Sequence, residues 1–170
     1  MGWFSPVKGS YPSLAQVDKT LPIDSGIEAV ERGMIVTIGT ADDKPVWKLA
    51  GTNEKTYYVA LTDSTDPTAG FAGTSFDPKG GVPAITAIDL AQDGEYETSV
   101  FEGSPKVGDE LYVADGKLTT SGTKVVGIVT QAPASRWINN AIATPPGQKD
   151  QRLAYRTGAR EKVIRFKTAL

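Results

Sequence analysis

The sequence predicts a mainly β protein: a small β-barrel or β-sandwich with an extended N-terminal arm and a C-terminal extension. Three observations predict it. Short apolar stretches alternate with polar residues at a period of two, as strands with one buried face require. Turn formers punctuate the chain, with Gly 18 and Pro 11 among 170 residues, which suits many short strands rather than long helices. Residues 106–120, followed at once by Val125 to Val129, read as three short strands joined by tight turns. There Leu111 and Val113 alternate with Glu110 and Tyr112, Asp115-Gly116 supplies a two-residue hairpin turn, and Gly122 permits the next reversal.

The length suits one good-sized β domain with extensions, or at most two small domains. Residues 1–26 read as an arm, 27–131 as the β domain, and 132–170 as a C-terminal extension that is basic from about residue 149. In the arm, Pro6, Gly9, Pro12, Pro22 and Gly26 break every periodic segment. Yet Trp3, Phe4, Tyr11, Leu14, Val17, Leu21 and Ile23 are apolar, and a solvated tail is poorer in aromatics. Such an arm wraps its own barrel, docks on a neighbouring subunit, or stays disordered.

In the body, Met34 to Ile38 is a strand ended by Gly39 and the polar run Thr40 to Lys44. Pro45 to Ala50 alternates, with Val46 and Lys48 on one face and Trp47 and Leu49 on the other. Gly51 to Lys55 is a turn, and Tyr57 to Thr62 carries the aromatic and β-branched residues that strands prefer. Asp63 to Pro83 is a long irregular segment, the kind that is functional or mobile in compact domains. Ala84 to Leu90, the turn signal Asp93-Gly94 and Tyr96 to Phe101 read together as a second hairpin. Beyond Ala132, Ala134 to Ile142 suits a short helix or an irregular crossover, and Glu161 to Lys167 is an imperfect strand that closes the sheet or reaches a neighbour.

Composition narrows the chemistry. The chain has no cysteine and His 0, so it lacks disulfides, thiolate nucleophiles, the commonest general base and the commonest transition-metal ligand. No apolar run approaches the roughly 20 residues of a membrane helix. Residues 1–6 show neither a secretory leader nor a myristoylation pattern, so a soluble protein that stays where it is made is expected. Charge is uneven: residues 1–147 balance to −7, whereas 148–170 balance to +5. A basic tail on an acidic body suits nucleic acid, an acidic neighbour or a second copy of the chain.

The carboxylates are the plentiful acid–base groups. Asp63, Asp66 and Asp77 offer oxygen ligands for a hard cation, but no twelve-residue calcium loop is present, and these residues read as turn formers. Ser121-Gly122-Thr123-Lys124 has the Ser-x-x-Lys spacing of some acyl-transfer enzymes, which needs a helix; Gly122 and the flanking strands favour a hairpin turn. The glycine pairs near Gly70 and Gly80 lack the strand and helix of a phosphate-binding loop. No catalytic, cofactor or metal residue is assigned. In the tail Arg152, Arg156 and Arg160 recur at four-residue spacing beside Tyr155, a stripe that nucleic acid can use. Gly158 and the acidity of the body oppose it, and pairing these arginines with acidic protein patches is the simpler expectation.

One resemblance rests on the order of several stretches. They are Arg32-Gly33-Met34-Ile35-Val36-Thr37, Tyr57-Tyr58-Val59-Ala60-Leu61, Val100-Phe101-Glu102-Gly103, Val107 to Val113, and Val126-Gly127-Ile128-Val129. Over about residues 30–130 this order resembles the small β-barrel decoration, or cement, proteins of tailed-phage heads. The resemblance implies a non-enzymatic virion protein without cofactors, made in the host cytoplasm. It would sit on the outer capsid surface as a trimer or dimer and bridge subunits of the major capsid protein. On that reading Trp3, Phe4, Tyr11, Leu14 and Val17 meet the capsid, and Arg152, Arg156, Arg160 and Arg165 make inter-subunit contacts. Neither nucleic acid nor a membrane is expected as a partner. Deleting residues 1–26 is then expected to abolish capsid binding and leave a folded barrel. The competing readings are a tail, baseplate or receptor-binding component using the Asp63 to Pro83 loop, and a glycan hydrolase built on two carboxylates facing a cleft.

Overall fold

Strands that alternate apolar and polar residues must bury their apolar face against another layer. Strands that are apolar on both sides must lie between two such layers. This chain has both kinds. A computed structural model describes residues 2–7, 17–61, 64, 84–91, 94–137 and 160–170; of Pro6, residues 17–20, Ala84, Thr86, Trp137 and Arg160 it describes the backbone only. The described residues are mainly β and contain no helix, with a sheet curled into a half-barrel and a second sheet.

The strands are β1 (Phe4–Pro6), β2 (Val17–Pro22), β3 (Ile35–Ala41), β4 (Lys44–Leu49), β5 (Tyr58–Ala60) and β6 (Ala84–Asp89). They continue as β7 (Glu95–Thr98), β8 (Glu110–Ala114), β9 (Lys117–Thr119), β10 (Gly127–Trp137) and β11 (Arg160–Thr168). A six-stranded sheet has the order β1-β7-β11-β10-β8-β9, and a five-stranded sheet the order β2-β6-β5-β3-β4.

Two apolar clusters follow from the pleat. Ile35, Tyr57, Val59 and Ile88 join Phe4, Tyr96, Leu111, Val113 and Phe166 in a cluster between the sheets. Their neighbours Val36, Tyr58, Ala60, Ile85 and Ala87 point the other way, into a second cluster around Trp47. β3, β5 and β6 are thus buried on both faces, which is why 57–61 reads as an unbroken apolar run. β8 keeps the simple alternation, with Leu111 and Val113 buried and their neighbours turned outward.

Some of the strand edges are tied down. Ile23, just past β2, bridges to Trp47 of β4, and Asp24 N donates to Trp47 O at 2.9 Å, so the five-stranded sheet curls until its first and last strands meet. Asp24 is held in turn by Lys48 at 3.4 Å and by the Gly26 N–H. The Gly26 N–H, and after it Lys48, lower the Asp24 carboxyl below its ordinary value. That stabilisation is complete above the ordinary carboxylate pKa and is lost as pH falls through the lowered value. The stability gap between wild type and Asp24→Asn, measured by denaturant midpoint, should therefore close on acidification. On the other sheet, Phe101 bridges to Leu118 of β9.

The β8–β9 hairpin stands as expected, turning at Asp115 (φ 46) and Gly116 (φ 75), with β10 on the other side of β8. Its tip also staples the two sheets: Gly116 N donates to Ala50 O at 3.0 Å and Ile35 N donates to Gly116 O at 2.7 Å. A Cβ at Gly116 would lie 2.9 Å from Leu49 Cδ2 and 3.1 Å from Ile35 O. Gly116→Ala should cost about 2 kcal/mol or more from left-handed backbone and crowding together, read from the denaturant midpoint.

Several expectations are corrected. Residues 2–7 and 17–26 are not a detachable arm: Phe4 to Pro6 pair with Thr98 to Tyr96, and β2 pairs with β6. This is the self-wrapping alternative, at least for the described part. The chain from Arg160 to Thr168 is an inner strand between β10 and β7, so this part of the C-terminal stretch belongs to the sheet rather than to an extension. β6 and β7 are not a hairpin, because each finds its partners in a different sheet. Gly39 does not end its strand; β3 runs to Ala41 and turns at Asp42 (φ 49) and Asp43 (φ 60) straight into β4. Residues 134–137 continue β10 instead of forming a helix. Of the Asp63 to Pro83 loop only Ser64 is described, and Arg152, Arg156, Tyr11 and Leu14 also lie outside the described residues.

Candidate interaction surface

Three places bring charged or aromatic side chains together. The first is the N-terminal strand. Trp3 is half-buried, and its backbone is fixed at three points. Trp3 N donates to Ser99 Oγ at 2.9 Å, while Trp3 O accepts from Ser99 N at 3.0 Å and from Thr98 Oγ1 at 2.8 Å. The Arg32 guanidinium lies over the Trp3 ring at 5.1 Å, and Arg32 Nη2 donates to Phe4 O at 2.9 Å. Gly2 and Gly33 allow this close approach: a Cβ on Gly33 (φ +90) would come within 2.8 Å of Trp3 O. Phe4 itself is 2% exposed and stacks on Tyr96 at 5.1 Å, so it is a core residue and not a surface contact.

The second place is the outer face of the six-stranded sheet. Arg165 on β11 sits directly across from Glu97 on β7, and its Nε donates to Glu97 Oε2 at 2.9 Å. Arg136 on β10 reaches the same oxygen at 3.0 Å. Two guanidiniums thus converge on one nearly buried carboxylate. The pairs are partly solvated, so each contributes at most about 1 kcal/mol to stability. Arg165, expected as an inter-subunit residue, thus has an in-chain partner. Arg160 pairs through its backbone with Trp137 at the start of the same strand.

The third is a cleft of about 340 Å³ where the two sheets come together, lined in part by Lys55, Tyr57, Asp89, Lys124, Val125 and Leu170. Lys124 Nζ donates to Glu54 O at 3.0 Å and lies 5.1 Å from the centre of the Tyr57 ring. Tyr57 is buried, and its hydroxyl accepts the Glu54 N–H at 2.9 Å, so both groups that hold the ammonium are themselves fixed. Residues 121–124 form no helix, and the Ser-x-x-Lys spacing therefore places no serine beside Lys124 in the acyl-transfer manner. The side-chain signal that finds Lys124 is absent from the sequence, because Glu54 and Tyr57 lie some 70 residues away.

Ser64, inside the loop of aspartates, is buried and accepts the Val30 N–H at 2.9 Å through its Oγ. Its own N–H donates to Val30 O at 2.8 Å, which makes it a structural clip. Asp63, Asp66 and Asp77 lie outside the described residues, and among the described residues no group of three acidic side chains is placed to hold a metal. Val17, expected as a capsid contact, opens β2 and pairs through its backbone with Ile88 of β6. Comparison with known family models, curated proteins and solved structures returns no match for this chain.

Proposed function

We propose that this chain is a non-enzymatic virion protein that binds the outer surface of a phage head and stabilises it by bridging capsid subunits. The observation that carries the reading is the spatial convergence of the stretches whose order resembles the decoration proteins. Ile35 and Val36 of β3 pair with Val59 and Tyr58 of β5. Residues 110–113 and 127–128 belong to the paired strands β8 and β10, and Phe101 is bridged to the β8–β9 hairpin at Leu118. A two-sheet unit whose five-stranded sheet closes on itself at Ile23 and Trp47 suits a clamp, since its faces and loops are left for contact. A protein that binds only the assembled shell shifts assembly toward that shell, and many copies add up a modest single-site affinity.

On this reading Trp3 remains a capsid-contact residue through its exposed part, with Tyr11, Leu14 and Val17; Phe4 is withdrawn. The partner is the major capsid protein and the protein acts as a trimer or dimer. The test is cosedimentation of the full chain with expanded heads assembled from the major capsid protein of the same virus. Saturable binding at a fixed ratio to the capsid subunit, with a raised melting temperature of the heads, is expected. Absence of binding, or binding to isolated tails alone, would overturn the proposal and favour a tail or receptor-binding role.

A further inference from the structure

A strand at the edge of a sheet offers unpaired N–H and C=O groups to any strand that meets it, and a proline there withholds a donor. Among the described residues the prolines within strands are Pro6, Pro22, Pro45 and Pro133. The first three lie on β1, β2 and β4, each at the end of its strand order. The remaining end strand, β9, is covered instead: Leu118 N donates to Val100 O at 3.2 Å, and Leu118 O accepts from Glu102 N at 2.8 Å. β10, which carries Pro133, is an inner strand by order but not along its whole length. It pairs with β8 at Gly127 and Ile128, and with β11 as far as Trp137. Val129, whose N donates to Asp109 O and whose O accepts from Gly108 N, is the last residue tied on the β8 side. From Gln131 to Arg136 that side of β10 has no strand partner among the described residues.

Charge does not defend this open stretch. Gln131-Ala132-Pro133-Ala134-Ser135 is uncharged, and the next side chain, Arg136, is drawn to Glu97 at 3.0 Å. Its geometry is irregular instead. The β10–β11 register shifts between Val129 and Gln131 and again between Gln131 and Ala134, so Ala132 and Pro133 pair with no residue of β11. Such bulges twist and bend a strand out of line for further pairing. We infer that Pro133 and these two irregularities guard the open edge of β10 and keep it from pairing with the same edge of a second copy. An edge that pairs with itself does so antiparallel about a twofold axis. Pro133 lies near the middle of the stretch, so such a pair would bring both prolines and their bulges together at its centre. Donors are then missing where the ladder has to form. The inference does not rest on the capsid-binding reading, because it concerns contact between copies of this chain alone.

The test is sedimentation velocity of the free full-length protein over a wide concentration range. Wild type should keep one sedimentation coefficient throughout. Pro133→Thr restores the N–H without adding charge, and its sedimentation coefficient should rise with concentration. Pro133→Ala, with the smallest side chain that restores the donor, should behave the same way. Ser135→Thr adds a strand-favouring side chain two residues along but leaves Pro133 in place, and it should sediment as wild type. Hydrogen exchange read by mass spectrometry locates the contact: peptides covering 129–137 should gain protection with concentration in the two Pro133 variants and not in wild type. Both variants should melt within a few degrees of wild type, since loss of a proline adds only modest freedom to the unfolded chain. Folded Pro133 variants that sediment as wild type at every concentration would overturn the guard. So would association whose protection lies elsewhere in the chain, or equal association of Ser135→Thr. Wild-type protection of 129–137 that grows with concentration would overturn it as well, because the edge would then already be in use between copies.

Discussion

Removing residues 1–26 is expected to abolish cooperative unfolding, leaving a chain that fails to fold rather than a barrel without its arm. The deletion takes away β1 and β2, one from each sheet. With β1 goes Phe4, which stacks on Tyr96 and belongs to the cluster that joins the sheets. With β2 go its pairing to β6 and the Ile23 bridge that closes the five-stranded sheet on Trp47. Truncating Phe4 alone to Ala should cost about 3–5 kcal/mol, as for other buried aromatics. Domains of this size are stable by only about 5–15 kcal/mol, so loss of both strands exceeds what the rest can carry. Thermal melts followed by circular dichroism test it. A 27–170 fragment that melts as sharply and as high as the full chain would contradict the strand assignment and restore the detachable arm.

The other large effect is expected at Trp47, which is fully buried at the centre of the second cluster. Its indole packs against Tyr58 at 5.1 Å, and its Nε1 donates to Ile85 O at 3.0 Å across the sheet. Its backbone accepts from Asp24 at the closure of the curled sheet. Trp47→Ala removes a large side chain from the curl and should lower stability by about 3–5 kcal/mol. Trp47→Phe keeps most of the packing but leaves the Ile85 carbonyl without its donor, at about 1–3 kcal/mol. Denaturant midpoints order the three proteins as wild type, Trp47→Phe, Trp47→Ala. An Ala variant within 1 kcal/mol of wild type would mean that this cluster does not hold the five-stranded sheet together.

The legible parts of the fold are those whose signals are local. Asp115-Gly116 marks its hairpin because two left-handed residues in a row are what a two-residue turn requires, and Gly supplies one without strain. Asp42-Asp43 makes the same kind of turn with no glycine, and the strain it accepts hid it among polar residues. Glu161 to Lys167 reads as a strand because its polar and apolar residues alternate, but nothing local says that it lies between β10 and β7. The Asp93-Gly94 signal is local, yet partner choice is a long-range matter and sends β6 and β7 to different sheets. The N-terminal strands escape notice because three residues of β1 show no period, and the prolines beside them suggest a linker.

The candidate site was less legible for the same reason. Arg165 was visible as a charge, but its partner Glu97 is 68 positions away in sequence. Phe4 looked like a docking aromatic because composition separates apolar residues from polar ones without saying which surface they cover. Lys124 stood out only through a motif that the backbone does not support. Its significance arises from Glu54 and Tyr57, which the strand order brings beneath it.

The proposed place of the protein, on the outside of a head and across subunit boundaries, can be read from a difference map. Electron cryomicroscopy of heads with and without the full chain should show extra density on the outer surface only. That density should fit the two-sheet unit and sit where neighbouring capsid subunits meet, at two- or threefold local positions. Density confined to the tail, density inside the shell, or no density under saturating protein would rule out a place on the outer capsid surface.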